Sequence, residues 1–146
     1  FAELQGMEGA ALERRVDEVL SLLDMKEIAD RRTDGFSQGQ RVKVALARAL
    51  VHDPRNVVLD EPTNGLDVGA TRAVRALLKR LRDEGRCVLF SSHVMQEVAL
   101  LCDRVVVIAR GEVVAQGTPE ELRRATGKES LEDAFVAAIG SEEGLG

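Results

Sequence analysis

Three short clusters in this 146-residue chain could do chemistry: Ser37-Gln38-Gly39-Gln40, then Asp60-Glu61 with Asp67 a turn later, then His93. Asp60 and Glu61 end an apolar run, Val57-Val58-Leu59, that reads as a buried strand. Pro62 and the Asn64-Gly65 pair then force the chain into a turn. Carboxylates at the C-terminal tip of a buried parallel strand stand where ligands bind in open α/β sheets. Asp60 suits magnesium, a hard cation that carboxylates hold mostly through its water shell. Glu61, one residue on and pointing the other way, suits a general base that polarises water. Two adjacent carboxylates repel, so a bound cation would relieve the pair. A strand that happens to stop at a polar turn is the plainer alternative, and a single carboxylate would fit it better than two.

Ser37 to Gln40 opens a helix, where unpaired N–H groups and the positive dipole end favour an anion. Ser37 offers a hydroxyl, Gly39 a close approach of backbone, and Gln40 an amide donor. Arg41 and Lys43 would reinforce such a site or simply be solvated. Taken alone, Ser37 is a plain N-cap. His93 follows another strand tip and could hydrogen-bond a terminal phosphate; a lone His there is more often structural, and its weight comes from its neighbours.

These residues need elements to hold them. A helix over 8–24 puts Leu12, Val16, Val19, Leu20 and Leu23 on one face, and a charge-rich connector with Arg31 and Arg32 on a solvated face follows over 25–35. A helix over 38–51 buries Val42, Leu46, Ala49 and Leu50 and stops at His52-Asp53-Pro54, because the residue before Pro disfavours the α region. A helix over 68–84 buries Val74, Leu77, Leu78 and Leu81 and ends at Gly85. A buried strand over 87–90, a short helix over 94–101 and a strand over 105–109 come next. Arg110-Gly111-Glu112 turns into 113–115, which makes a hairpin. Thr118 caps a helix over 119–124 with Pro119 at its first position, and a last helix over 130–139 precedes a Gly- and Glu-rich tail. Helices between apolar runs give an α/β fold with a mainly parallel sheet.

Composition narrows the partners. A net charge of −5 argues against a general nucleic-acid surface, and with no Tyr or Trp only four scattered Phe could stack on bases. No apolar run approaches the ~20 residues of a membrane span. Cys87 and Cys102 lack metal-ligand spacing and read as buried free thiols.

Together the motifs resemble the ATPase subunit of ATP-binding cassette (ABC) transporters. Phe36-Ser37-Gln38-Gly39-Gln40 is similar to the family's signature motif Leu-Ser-Gly-Gly-Gln, with departures at Phe36 and Gln38. Val57 to Glu61 resembles the Walker B strand, Asn64-Gly65-Leu66-Asp67 the D-loop, and Ser91-Ser92-His93 the switch histidine. The wording from Phe36 to Asp67 is most similar to sodium-extrusion ATPases and related ABC-2 exporters. The resemblance implies a P-loop NTPase-like ABC ATPase domain using ATP and Mg2+, with Asp60 as the magnesium ligand, Glu61 activating water and His93 sensing the γ-phosphate. Ser37, Gln38, Gly39 and Gln40 would contact ATP bound mainly to an opposite subunit, with Asp67 linking the two sites. It further implies a dimer with a second ABC ATPase subunit, transmembrane permease partners, no nucleic acid, and a cytoplasmic, peripheral place on the inner face of the cell membrane. Residues 1–35 would close the helical subdomain, 36–118 run from the signature to the C-terminal hairpin, and 119–146 form C-terminal helices and tail.

The sequence holds no Gly-x-x-x-x-Gly-Lys-Ser/Thr loop. With Phe1 in first place, the expectation is the C-terminal part of a longer subunit, without its Walker A loop and N-terminal strands and inactive by itself. Other readings are a soluble chromosome-maintenance or repair ATPase, against which the short helix before the signature counts, and a paired-cassette translation factor, whose switch wording differs from Ser92-His93-Val94-Met95. A non-enzymatic dimerisation or binding module is the remaining class.

Overall fold

The computed structural model describes residues 1–140; the expected Gly- and Glu-rich tail lies outside the described residues. The chain packs as two compact units, one running from Phe1 to Ser91 and the other starting at Ser92.

The first unit carries the helices α1 (Gly9–Leu22), α2 (Gln38–Leu50) and α3 (Val68–Asp83) and the strands β1 (Asn56–Leu59) and β2 (Cys87–Phe90). The connector between α1 and α2 is two 3-10 turns, Lys26–Ile28 and Thr33–Gly35. The α3 stripe follows the periodicity of its sequence: Val74, Leu77, Leu78 and Leu81 are all buried. At that depth each of these side chains contributes about 1.5–3 kcal/mol of transfer free energy. In α2, Leu46 and Leu50 are buried while Val42 and Ala49 are half-buried. The end of α2 is tied down by Arg15 on α1, whose Nη2 and Nε donate to the Leu50 and Val51 carbonyls at 2.8 and 3.0 Å. Those carbonyls have no partner within the helix, so the guanidinium closes the C-terminus.

β1 and β2 pair in parallel with Val57 opposite Val88 and Leu59 opposite Phe90. The expectation of two fully buried strands is corrected here. Val57 is buried, but Val58 is 73 % and Leu89 63 % exposed. Successive strand residues face opposite sides, and among the described residues this ribbon is covered on one side only.

The second unit holds α4 (Met95–Leu101), β3 (Val105–Ala109), β4 (Glu112–Gly117), α5 (Pro119–Thr126) and α6 (Leu131–Ile139). β3 and β4 form the expected hairpin, antiparallel, joined by Arg110 and Gly111 at φ +54° and +82°. Two positive φ values match the twist of the flanking strands in a two-residue loop. Val98, Val107, Leu122 and Leu131 make the core, with Met95, Cys102 and Phe135 packed against it. Thr118 caps α5 as expected, and Glu121 reciprocates by accepting the Thr118 N–H at 2.8 Å.

Candidate functional site at the tip of the first parallel strand

β1 ends at Leu59, and the next two residues carry the carboxylates. The chain there is held from the end of β2. The Ser91 N–H donates to the Leu59 carbonyl at 3.0 Å. Its Oγ donates to Asp60 Oδ1 at 2.5 Å and accepts the Glu61 N–H at 2.8 Å. A hydroxyl has one proton and the Glu61 amide can only donate, so the proton belongs on the Asp60 side.

Glu61 sits at φ +44°, the left-handed region, which costs a residue with a Cβ about 1–2 kcal/mol. The expectation that Glu61 opposes Asp60 by strand alternation is therefore corrected: the strand has ended, and the turn sets the direction of Glu61. Two turns follow, closed by Asn64 N–H to the Glu61 carbonyl at 3.0 Å and Leu66 N–H to the Thr63 carbonyl at 3.3 Å. Gly65 takes φ +68° in the second, a conformation glycine adopts without strain. Pro62 and Thr63 are buried, so the turn is packed down against the unit.

The turn delivers Asp67 to the start of α3, where Oδ1 accepts the Ala70 N–H at 2.8 Å. Ser37 caps α2 in the same manner. Its Oγ accepts the Gln40 N–H at 3.2 Å, and its own N–H donates to Gln40 Oε1 at 3.0 Å, a closed capping box. Phe36 just before the cap is buried, so the departure from Leu keeps an apolar anchor there. Gln38 is exposed and Gly39 half-buried. A Cβ on Gly39 would lie 3.0 Å from the Ala70 Cβ, so this glycine lets the first turns of α2 and α3 touch. The Lys43 ammonium donates to the Asp24 carbonyl at 3.3 Å, and Arg32 pairs with Asp34 at 3.1 Å.

The first unit thus brings together Asp60, Glu61 and Ser91 in one place and Ser37, Gly39, Gln40 and Asp67 at two adjoining helix ends. His93 belongs to the second unit, exposed, two residues before α4. Sequence reasoning noted Ser91 only as part of a motif. Its bridging role depends on a pairing across 31 residues that no local signal announces. Among the described residues no group of three or more His, Cys, Asp or Glu could hold a metal ion. Asp60 on its own fits magnesium, which keeps several waters and takes one or two carboxylates plus substrate oxygens. A cavity of about 260 Å³ lies elsewhere, between Leu23, Lys43, Leu46, Val74 and Leu77, and none of Ser37, Gln38, Gly39, Gln40, Asp60, Glu61, Asp67 or His93 lines it.

Residues 2–64 match the ABC transporter family. The ABC transporter ATP-binding protein NatA of Bacillus subtilis (strain 168) is 39 % identical over 95 % of the chain and 56 % of its own length. The sulfate/thiosulfate import ATP-binding protein CysA 2 of Agrobacterium fabrum is 42 % identical over 79 % of the chain and 34 % of its own length. The solved structure of an ATP-binding subunit of an ABC transporter superposes with a TM-score of 0.79 at 29 % identity, over 91 % of this chain and 56 % of that one. The fold is that of an ABC ATP-binding subunit over this span. The chain covers about half the length of such relatives or less.

Proposed function

With residues 2–64 matched by the ABC transporter family, we propose that this chain is the C-terminal portion of an ATP-binding and ATP-hydrolysing transporter subunit. The observation that carries the reading is the Asp60–Glu61 pair at the strand tip, tied by one hydroxyl and followed by a packed turn. Asp60 is the residue to hold Mg2+, and ATP supplies the phosphoanhydride whose cleavage drives transport. Glu61 takes a proton from the attacking water, and His93 hydrogen-bonds the terminal phosphate. Ser37, Gln38, Gly39 and Gln40 meet a nucleotide held chiefly by a second ABC subunit, with Asp67 between the paired sites. The partners are that second subunit and transmembrane permease chains, which places the protein peripherally on the inner face of the membrane. No helix among the described residues is long and apolar enough to cross a membrane.

Export is favoured over import by the likeness of Phe36 to Asp67 to sodium-extrusion ATPases, with Na+ as the cargo.

Phosphoryl transfer is mostly positioning and electrostatics, so 146 residues without a phosphate loop turn over no ATP by themselves. The test joins the chain behind a segment bearing a Gly-x-x-x-x-Gly-Lys-Ser/Thr loop from a complete ATP-binding subunit. The fusion is expected to hydrolyse ATP only with Mg2+, and Glu61→Gln to lower kcat about 10²–10⁴-fold. A fusion that folds and binds ATP, yet whose turnover is indifferent to Glu61→Gln and Asp60→Asn, would overturn the reading.

A further inference from the structure

We infer that Ser91 is a positioning residue, whose hydroxyl sets the orientation of both Asp60 and Glu61. The inference rests on the reading of those carboxylates as cation ligand and general base, and it deepens that reading by naming what holds them. Three consecutive residues, Leu59, Asp60 and Glu61, each share one hydrogen bond with Ser91, the first two as acceptors and Glu61 as the donor. The bond to Leu59 comes from the Ser91 backbone and belongs to any residue there except Pro. The other two involve Oγ and belong to a hydroxyl alone.

The ladder between β1 and β2 stops at Leu59 and Phe90, so Asp60 and Ser91 face each other one step beyond the last ladder pair. Where the backbone pairing lapses, the side chain takes it over. It binds the Asp60 carboxylate through Oδ1, which leaves the other oxygen of that group for a cation or its water. It also satisfies the Glu61 amide in the left-handed conformation that displaces Glu61 from the strand. Partners of this kind, one bond behind a ligand or base, fix its direction and sharpen its binding. Ser91, Asp60 and the bonds among them are exposed, so the hydroxyl adds little to the core. A change there should alter the site without unfolding the unit.

The experiment uses the full chain, labelled with 15N, as wild type, Ser91→Ala and Ser91→Thr. In Ser91→Ala the Glu61 amide should exchange with solvent at least tenfold faster and shift upfield. The Val57 amide and the melting temperature should stay as in wild type, and Ser91→Thr, which restores a hydroxyl, should return the Glu61 amide to its wild-type behaviour. A Glu61 amide unchanged by Ser91→Ala, or disturbed as much by Ser91→Thr, overturns the inference. Titration with Mn2+ separates this from the function beneath it. Paramagnetic broadening at Asp60 should weaken about tenfold in Ser91→Ala. No broadening in wild type, with the Glu61 amide still dependent on Ser91, removes the cation reading of Asp60 and leaves the positioning intact.

Discussion

Gly39 in the first turn of α2 and Ala70 in the first turn of α3 are so close that a Cβ on Gly39 would stand 3.0 Å from that of Ala70. The optimum for two carbons is about 3.5–4.0 Å. Both atoms would be fixed to helix backbone, so relief requires the helices to separate. Gly39→Ala is therefore expected to destabilise the chain by about 1–3 kcal/mol, despite the better helix propensity of Ala. Adding Ala70→Gly should recover part of that loss, read as a coupling in a double-mutant thermal melt. A higher melting temperature for Gly39→Ala alone would show that the helices are not in contact there.

Asp67 caps α3 by accepting the Ala70 N–H. Asp67→Ala should cost about 1 kcal/mol of stability, while Asp67→Asn, an equally good cap, should cost little. Chemical denaturation of the three proteins checks this. Equal losses for Ala and Asn would mean that charge, not capping, is what the helix end requires.

Arg15 reaches the ends of other elements: two α2 carbonyls and Asp53 Oδ1 at 3.0 Å. Losing it takes a donor from the partly buried Val51 carbonyl, while the Leu50 carbonyl keeps the Asp53 N–H and Asp53 keeps Arg86, so Arg15→Ala should destabilise by about 1–2 kcal/mol. Arg15→Lys should restore less than half, because an ammonium cannot reproduce a planar fork of donors. Full rescue by Lys in a thermal melt would contradict the fork geometry.

Burial pushes the Cys102 thiol from 9.0 up to about 11, with nearby Asp103 adding to the rise. At pH 8 roughly one Cys102 in a thousand is then thiolate. Cys87 is exposed, so a thiol reagent should label Cys87 first and Cys102 at least tenfold more slowly. The sign for stability follows from the raised value: the neutral thiol favours the folded state. That contribution is intact below pH 9 and lost as the pH rises through about 11. Equal labelling rates would place Cys102 outside its core.

At the acid end, the Thr118 N–H holds the Glu121 carboxyl below its ordinary 4.5, and the hydrogen bond from Arg80 does the same for Glu84. Depressed values favour the folded state above pH 4.5, and the contribution disappears as the pH falls through the lowered values. A Glu121→Gln, Glu84→Gln variant should lose stability less steeply between pH 5 and pH 3 in parallel melts. Superimposable acid limbs would sink this expectation.

Much of this was legible because it is local. The α3 stripe of Val74, Leu77, Leu78 and Leu81 repeats at the helical period, and Thr118 followed by Pro119 marks a helix start within two residues. The turn after Glu61 was visible in Pro62 and Asn64-Gly65. Exposure of Val58 and Leu89 was not, because a continuous apolar run looks the same whether one face or two are covered. The left-handed Glu61 escaped because positive φ is read from glycine, and none stands there. Arg15 and Ser91 escaped for a common reason: the partners that matter lie 30 or more residues away. Cys87 was expected to be buried and is exposed, at the first residue of β2 opposite Asn56.

The closed box at Ser37 and Gln40 has one more consequence. The Ser37 N–H is already engaged by the Gln40 carboxamide oxygen, and the hydroxyl beside it accepts the Gln40 backbone N–H. An anion arriving at that helix end does not fill a vacancy; it trades places with the Gln40 carboxamide. The resident carboxamide would act as a tethered competitor to any anion that approached this helix end.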